Sequence, residues 1–386
     1  MTIKLWGKCL VLSAMLIAIR LSGFSGIASA SGQAKWKGTI VKEGDVTVVK
    51  NPKEPIYKNP ALKLREDFVL GGEAVEGEYV LSRPFDMALD AGENLYVADA
   101  GEKNLKVFDK SGKYVRTIGR AGQGPGEFQF PYGVCILPGA NEILVFDLER
   151  ISIVTPAGAF IRQFPMNGMS TGFGADARGN LFIASASGRL GQTALKVFAP
   201  DMSRELAVVL TCQETQGPDP FKSRALWILD PAGRVVFGDS KTYEIKILNS
   251  QGQVLKKVSR DYDPVRAAQE EKDDLAGRTS RVLGPAAAKS MVFSSHHSAY
   301  RGFFFADAGR LFVETWEKSP DGKQDVYDIF DEEGRYIARA TLAPHPDFLN
   351  PRPRFIKNGK LYTIEPDPKG YEVVKRCSVK WNIPEK

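Results

Sequence analysis

With 386 residues, 43% of them hydrophobic and 25% charged, the chain is long enough to bury a core of its own and too apolar to be intrinsically disordered. The formal net charge is +6, but Lys4, Lys8 and Arg20 lie in the first thirty residues with no acid among them. Half of the excess therefore belongs to that segment, and the near-balanced remainder argues against a nucleic-acid partner.

In chain order, residues 1–30 read as a signal peptide. Lys4 and Lys8 precede the apolar run Cys9 to Ile19, and Ala28-Ser29-Ala30 ends the segment in the small-x-small pattern of a cleavage site. Arg20 interrupts the run well short of the roughly 20 apolar residues that a membrane span needs. The expectation is export to the periplasm or beyond, with no span left after processing. Cys135, Cys212 and Cys377 then remain, an odd number that outlines no disulfide framework. Cys135 sits in an apolar strand and reads as a buried, inert thiol.

Residues 31–60 read as an N-terminal extension. Trp36 to Val41 and Val46 to Lys50 form a possible hairpin about Glu43-Gly-Asp45, taken as an appendage. From residue 61 to 386 one pattern recurs six times: a tight turn, then a short apolar strand. The strands start at Leu95, Ile143, Leu181, Val235, Leu311 and Leu361. Their intervals cluster at roughly 40–50 residues, the size of a propeller blade. Around each lie a preceding apolar strand (Phe85-Asp-Met-Ala-Leu), a following one (Leu105-Lys-Val-Phe), a second turn (Asp109-Lys-Ser-Gly) and an alternating strand (Tyr114-Val-Arg-Thr-Ile). Asp opens such turns by bonding its own backbone, and Gly accepts the positive φ. Four antiparallel strands per repeat make an all-β, six-bladed propeller.

One interval is too wide. Asp263-Pro-Val-Arg-Ala-Ala-Gln-Glu-Glu-Lys reads as an Asp cap, a Pro at the first helical position and a run of helix formers. A helical insert over about 263–290 therefore falls between blades four and five. The final repeat has only three strands, Pro353 to Ile356, Leu361 to Ile364 and Tyr371 to Cys377. Phe68-Val-Leu, ahead of the first full blade, supplies the fourth and closes the ring without a free edge.

The stretch from Leu95 to Gly119, followed by Gly122-Gln-Gly-Pro-Gly-Glu-Phe-Gln-Phe-Pro-Tyr-Gly-Val, closely resembles the NHL repeat, and the whole chain resembles an exported bacterial propeller of that kind. The resemblance implies the fold. It leaves function open among protein, RNA and carbohydrate binding and, in relatives, lyase or lactone hydrolase chemistry, because function lives in a site grafted on the fold.

Four residues beyond each strand start stand Asp99, Asp147, Ser185, Asp239, Thr315 and Glu365, a partial acidic ring on one face. Either it holds a cation or each Asp caps its own turn and pairs nearby, as Asp99 can with Lys106. The connections between blades reach the same face and bring Arg83, Tyr132, Arg224, Tyr300, Arg301 and Arg354 to the innermost strands. Arg83, Tyr132, Arg224, Arg301 and Arg354 are the candidate ligand-binding residues, either free for an anionic or carbohydrate ligand or paired with the acids. Gly122-Gln-Gly-Pro-Gly precedes a strand, not a helix, and reads as a connector with no phosphate site. His296, His297 and His345 cannot converge on a zinc from separate blades, and no Ser-His-Asp set is visible. The expectation is a monomeric, non-enzymatic binding propeller without a cofactor, taking a protein, peptide or glycan on its loop face. The alternative is a calcium-dependent, lactonase-like hydrolase or lyase using Asp86, Asp147 and Asp239 at the channel mouth.

Overall fold

Six turns share one device. Oδ1 of Asp90, Asp109, Asp176, Asp230, Asn249 and Asp367 accepts the backbone N–H groups two and four residues on. The residue three positions along takes a positive φ, as Gly112 does at 83° and Gly179 at 79°. Each turn reverses the chain between apolar strands, and the hairpins add up to blades. In this computed structural model the described residues are 35–384, except 74, 138–141, 167–169, 171, 188–191, 214–218 and 345–351. The expected signal peptide lies outside the described residues, as does His345.

The chain is a six-bladed β-propeller. Blade one comprises Pro84–Leu89, Leu95–Asp99, Asn104–Phe108 and Tyr114–Ile118, hydrogen-bonded in that order from the axis outward. Blades two to five repeat the pattern, with innermost strands Pro131–Leu137, Gly172–Ala175, Leu226–Leu229 and Gly302–Phe305. In blade one every residue of the second strand is buried, because its two faces pack against different neighbours. Val97 joins Leu89 and Phe108 in one cluster, while Tyr96 and Ala98 join Val134 and Val145 of blade two in another.

Blade six has Arg354–Lys357, Lys360–Pro366 and Glu372–Trp381 from the end of the chain, completed by β3 (Leu62–Leu70). The register runs antiparallel from Leu70 opposite Val374 to Leu62 opposite Trp381. Asp67 of β3 is tied to Ser378 Oγ at 2.6 Å and to Lys360 Nζ and Arg376 Nε at 3.1 Å.

The N-terminal hairpin forms, as β1 (Thr39–Glu43) and β2 (Val46–Asn51), but it is no appendage. β2 pairs in parallel with Val254–Arg260, the outermost strand of blade four, and widens that sheet to six strands. Val49 is fully buried between blades four and five. Asn51 donates through Nδ2 to Ser259 O and Gly334 O at 3.0 and 2.9 Å. Its Oδ1 accepts from Trp36 Nε1 at 3.0 Å and from Tyr336 N at 2.7 Å. Beyond it, the N–H groups of Ile56, Tyr57 and Ala61 donate to Tyr336, Ile337 and Arg339 along the rim of blade five. Residues 36–70 thus run past the outer edges of blades four, five and six in turn.

The insert contains α1 (Gln269–Leu283) and α2 (Pro285–Lys289). The expected cap at Asp263 is not used. Ala267 N–H donates to Ser295 O and His297 N–H to Val265 O, so 265–267 is extended and the helix waits until Gln269. Leu275 docks α1 against Phe221, Ala267 and Trp316.

Candidate functional site

The turns joining second to third strands share a face with the connectors between blades, since every blade has the same strand order. On this face Asp99 accepts the N–H groups of Ser82 and Arg83 at 2.8 and 2.9 Å, along with those of Gly101 and Glu102 in its own turn. Asp147 accepts Gln129 N–H at 2.9 Å and Phe130 N–H at 2.5 Å, and two guanidinium donors of Arg150 at 3.0 Å. Both are completely buried. They fasten the chain entering each innermost strand to the adjacent turn. In blade four Ser240 has this role, bonding Arg224 N–H at 2.9 Å, while Asp239 is exposed and accepts Lys241 N–H. Ser185 is half-buried, Thr315 donates to Val326 O, and Glu365 pairs with Lys375 at 2.6 Å. Lys106 does not pair with Asp99. Its ammonium reaches Val80 O at 2.6 Å.

Asp86 stands apart from these. Its oxygens accept Met87 N–H at 2.8 Å and Val134 N–H, from the innermost strand of blade two, at 2.9 Å. Desolvation, with no cationic partner among the described residues, pushes its carboxyl up to about 7, the two N–H bonds only partly opposing that. Burial, followed by the nearby Asp86 charge, pushes the Cys135 thiol up to about 12, far from a reactive thiolate. Among the described residues no three His, Cys, Asp or Glu side chains form a group able to hold a metal, so Asp86, Asp147 and Asp239 do not converge. His297 is buried and stacked on Trp316 with 3.9 Å between ring centroids, its Nε2 3.0 Å from Glu271 Oε2. His296 is exposed.

The arginine collar exists, and the folded chain engages most of it. Arg301 bridges Glu314 and, at 2.7 Å, Asp325. Arg354 is buried, donating to Tyr327 Oη at 2.5 Å and Ala343 O at 2.8 Å. Arg224, Tyr300 and Arg301 share a pocket with Lys222 and Trp316, but its volume of about 10 Å³ admits one water at most. Tyr132 is buried and accepts Ser170 N–H at 3.0 Å. Arg83 differs: it is exposed, and among the described residues its guanidinium has no acidic partner. It lies 5.2 Å from the Phe85 ring and 5.5 Å from that of Phe130. Arg352, which no sequence motif singles out, lies 4.0 Å from the Phe85 centroid and is anchored by Glu372 at 2.8 Å.

Beside Arg83 an open cleft of about 460 Å³ runs between blades one and two. Its lining is Lys103 from the blade-one turn, Gly122, Gln123, Phe128, Gln129 and Phe130 from the connector, and Leu148 from the blade-two turn. The connector is rigidly held. Arg150 donates to Gln123 O and Glu127 O at 2.7 Å, and Glu127 accepts Gly124 N–H at 3.0 Å while pairing with Arg120. A side chain at Gly122 would strike Glu127 Oε2 at 2.1 Å and would have to displace that carboxylate from Gly124 N–H and Arg120. Lys103 and Leu148 hold left-handed backbones at φ 57° and 48°, a strained conformation for residues with a Cβ. The sequence signal for this cleft was the Gly122–Phe130 connector itself, read only for its path.

A family model described as a 6-bladed β-propeller matches residues 86–155. The protein brain tumor of Drosophila melanogaster is 26% identical over 93 residues, which is 23% of this chain and 9% of that protein. Among solved structures, a protein of Bacteroides fragilis described as exported superposes with a TM-score of 0.54 at 12% identity, covering 86% of this chain and 99% of its own. A protein of Bacteroides vulgatus gives 0.51 at 11%, covering 84% and 99%. At these identities the structural likeness is one of fold. Among the described residues no helix is long and apolar enough to cross a membrane.

Proposed function

We propose that this propeller is a non-enzymatic binding module that works outside the cytoplasm. It takes a protein, peptide or glycan segment in the cleft between blades one and two. The observation carrying this reading is the pre-organised connector. The bonds from Arg150, Asp147 and Glu127 fix the shape of the cleft before any ligand arrives, which lowers the ordering cost of binding. The exposed ends of Gln123 and Gln129 and the apolar Leu148 supply the mixture of a few polar groups and an apolar surface that ligand sites use.

The test is a parallel screen of the purified protein on a displayed random-peptide library and a glycan array, repeated with Gln129→Ala/Leu148→Asp. Ligands recovered by the parent protein and lost by a variant of unchanged melting temperature support the reading. Ligands retained by that variant place the site elsewhere. For export, the processed N-terminus measured by mass spectrometry is expected near Ser31, and an intact residue 1 on membrane-bound product would contradict it.

A further inference from the structure

Resting on that reading of the cleft, we infer that its ligand is an extended peptide bearing a carboxylate, not a sugar. Sugars in such clefts are gripped by stacking on an open aromatic face, and no ring here offers one: Phe128 is fully buried, and Phe130 and its neighbour Phe85 carry guanidinium groups. The Phe85 ring lies beneath the Arg352 guanidinium at 4.0 Å, with that of Arg83 at 5.2 Å. Phe130 meets Phe85 edge-on at 5.2 Å between centroids and has Arg83 over it at 5.5 Å. What remains for a ligand is ring edge, the Leu148 side chain and two primary amides. Gln123 and Gln129 are both exposed, and an amide that donates and accepts matches the backbone of an extended peptide.

The charge follows from a simple asymmetry. Lys103 is the only charged residue among those lining the cleft, and neither it nor the adjacent Arg83 has an acidic partner among the described residues. Of the neighbouring acids, Glu149 is exposed next to Leu148 but is not among the residues lining the cleft, and the others are committed. Asp147 is held by two N–H groups and Arg150, Glu127 by Gly124 N–H and Arg120, and Glu102 by the Ser82 hydroxyl. Two cations on exposed backbone positions therefore face an incoming chain. A carboxylate next to an apolar side chain answers both them and Leu148.

Fluorescence anisotropy with two pools of labelled hexapeptides tests this. One pool carries Asp or Glu at randomised positions, and the other carries Asn or Gln at the same positions. The acidic pool is expected to bind at least tenfold more tightly, with affinity falling as salt rises. Lys103→Glu and Arg83→Glu should each weaken it about tenfold, and Lys103→Arg should restore it. Both sites are exposed, so unchanged melting temperatures are the folding control. Equal affinity for the two pools, or indifference to both charge reversals, overturns the carboxylate. Binding to a glycan array that Gln129→Ala abolishes overturns the peptide and leaves the cleft standing. Binding of neither pool, with no glycan bound, overturns the underlying reading as well.

Discussion

Asn51 is hydrogen-bonded at each polar end of its side chain, and its four partners come from the N-terminal segment, blade four and blade five. Asn51→Ala strands the Tyr336 N–H and two carbonyl oxygens in a buried place, and the expected cost is roughly 3 kcal/mol, read as a shift in urea midpoint at constant slope. Asn51→Asp should be worse, because a carboxylate oxygen then faces Ser259 O and Gly334 O. Asp86 carries a different signature. Its carboxyl is pushed up to about 7 in the folded chain from 3.8. The unfolded chain therefore loses this proton first, and the contribution is fully present below about pH 4 and fades as pH rises through 7. Asp86→Asn should flatten the stability profile between pH 4 and 7, as followed by thermal melts across that range. An unchanged slope would mean that the carboxyl is ionised throughout.

Among the elements, β1 and β2 differ in what they bury. Every residue of β1 is exposed, whereas β2 contributes Val49 and Asn51 to the seam between blades four and five. A chain beginning at Val46 loses β1 and the Trp36 indole bond to Asn51, and should melt a few degrees below a chain beginning at Lys35. Beginning at Ala61 should lower the midpoint far more, by differential scanning calorimetry, because it uncovers the edge of Val254–Arg260 and empties the place of Val49. The sequence reading took all of this as dispensable for an understandable reason. A parallel pairing between residues some 200 positions apart leaves no periodicity or turn behind it. The blade hairpins were legible because they are signed locally, by Asp or Asn (by Thr155 in blade two) and by a residue with positive φ. The acidic ring was half legible: Asp99 and Asp239 do cap their own turns, but Asp147 bonds the connector N–H groups and Arg150 instead, and in blade four the bond to the connector passes to Ser240, one residue beyond Asp239, a shift that equal spacing alone could not reveal. Arg83 could be named from the sequence and the cleft could not, since Lys103, Gln129 and Leu148 meet only when two blades stand side by side.

At the scale of the whole molecule, closure depends on a charged knot. Burial alone would raise the Asp67 carboxyl, but bonds from Ser378 and Lys360 and the charges of Lys360 and Arg376 draw it down to about 2. A depressed carboxyl contributes stability that is present above the ordinary value near 3.8 and lost as pH falls through 2. Asp67→Asn is therefore expected to lower the midpoint at pH 7 and to shrink the difference between pH 5 and pH 2, measured by circular dichroism. An identical acid limb in the variant would show that other carboxylates control acid unfolding. Counting strands predicted this closure correctly, because three strands at one end and one at the other leave a single way to finish six blades.

The wrapped path of residues 36–70 sets a timetable as well as a shape. These residues leave the ribosome before any blade exists, yet the strands they pair with, Val254–Arg260, Tyr336–Leu342 and Glu372–Trp381, are among the last synthesised. Until then β2 and β3 travel as unpaired, partly apolar strands, open to pairing with another molecule. A nascent chain stalled short of Glu372 could hold its early blades and still lack every partner for β3. Correct folding of this propeller is thus decided when blade six emerges and its earlier segment is finally claimed.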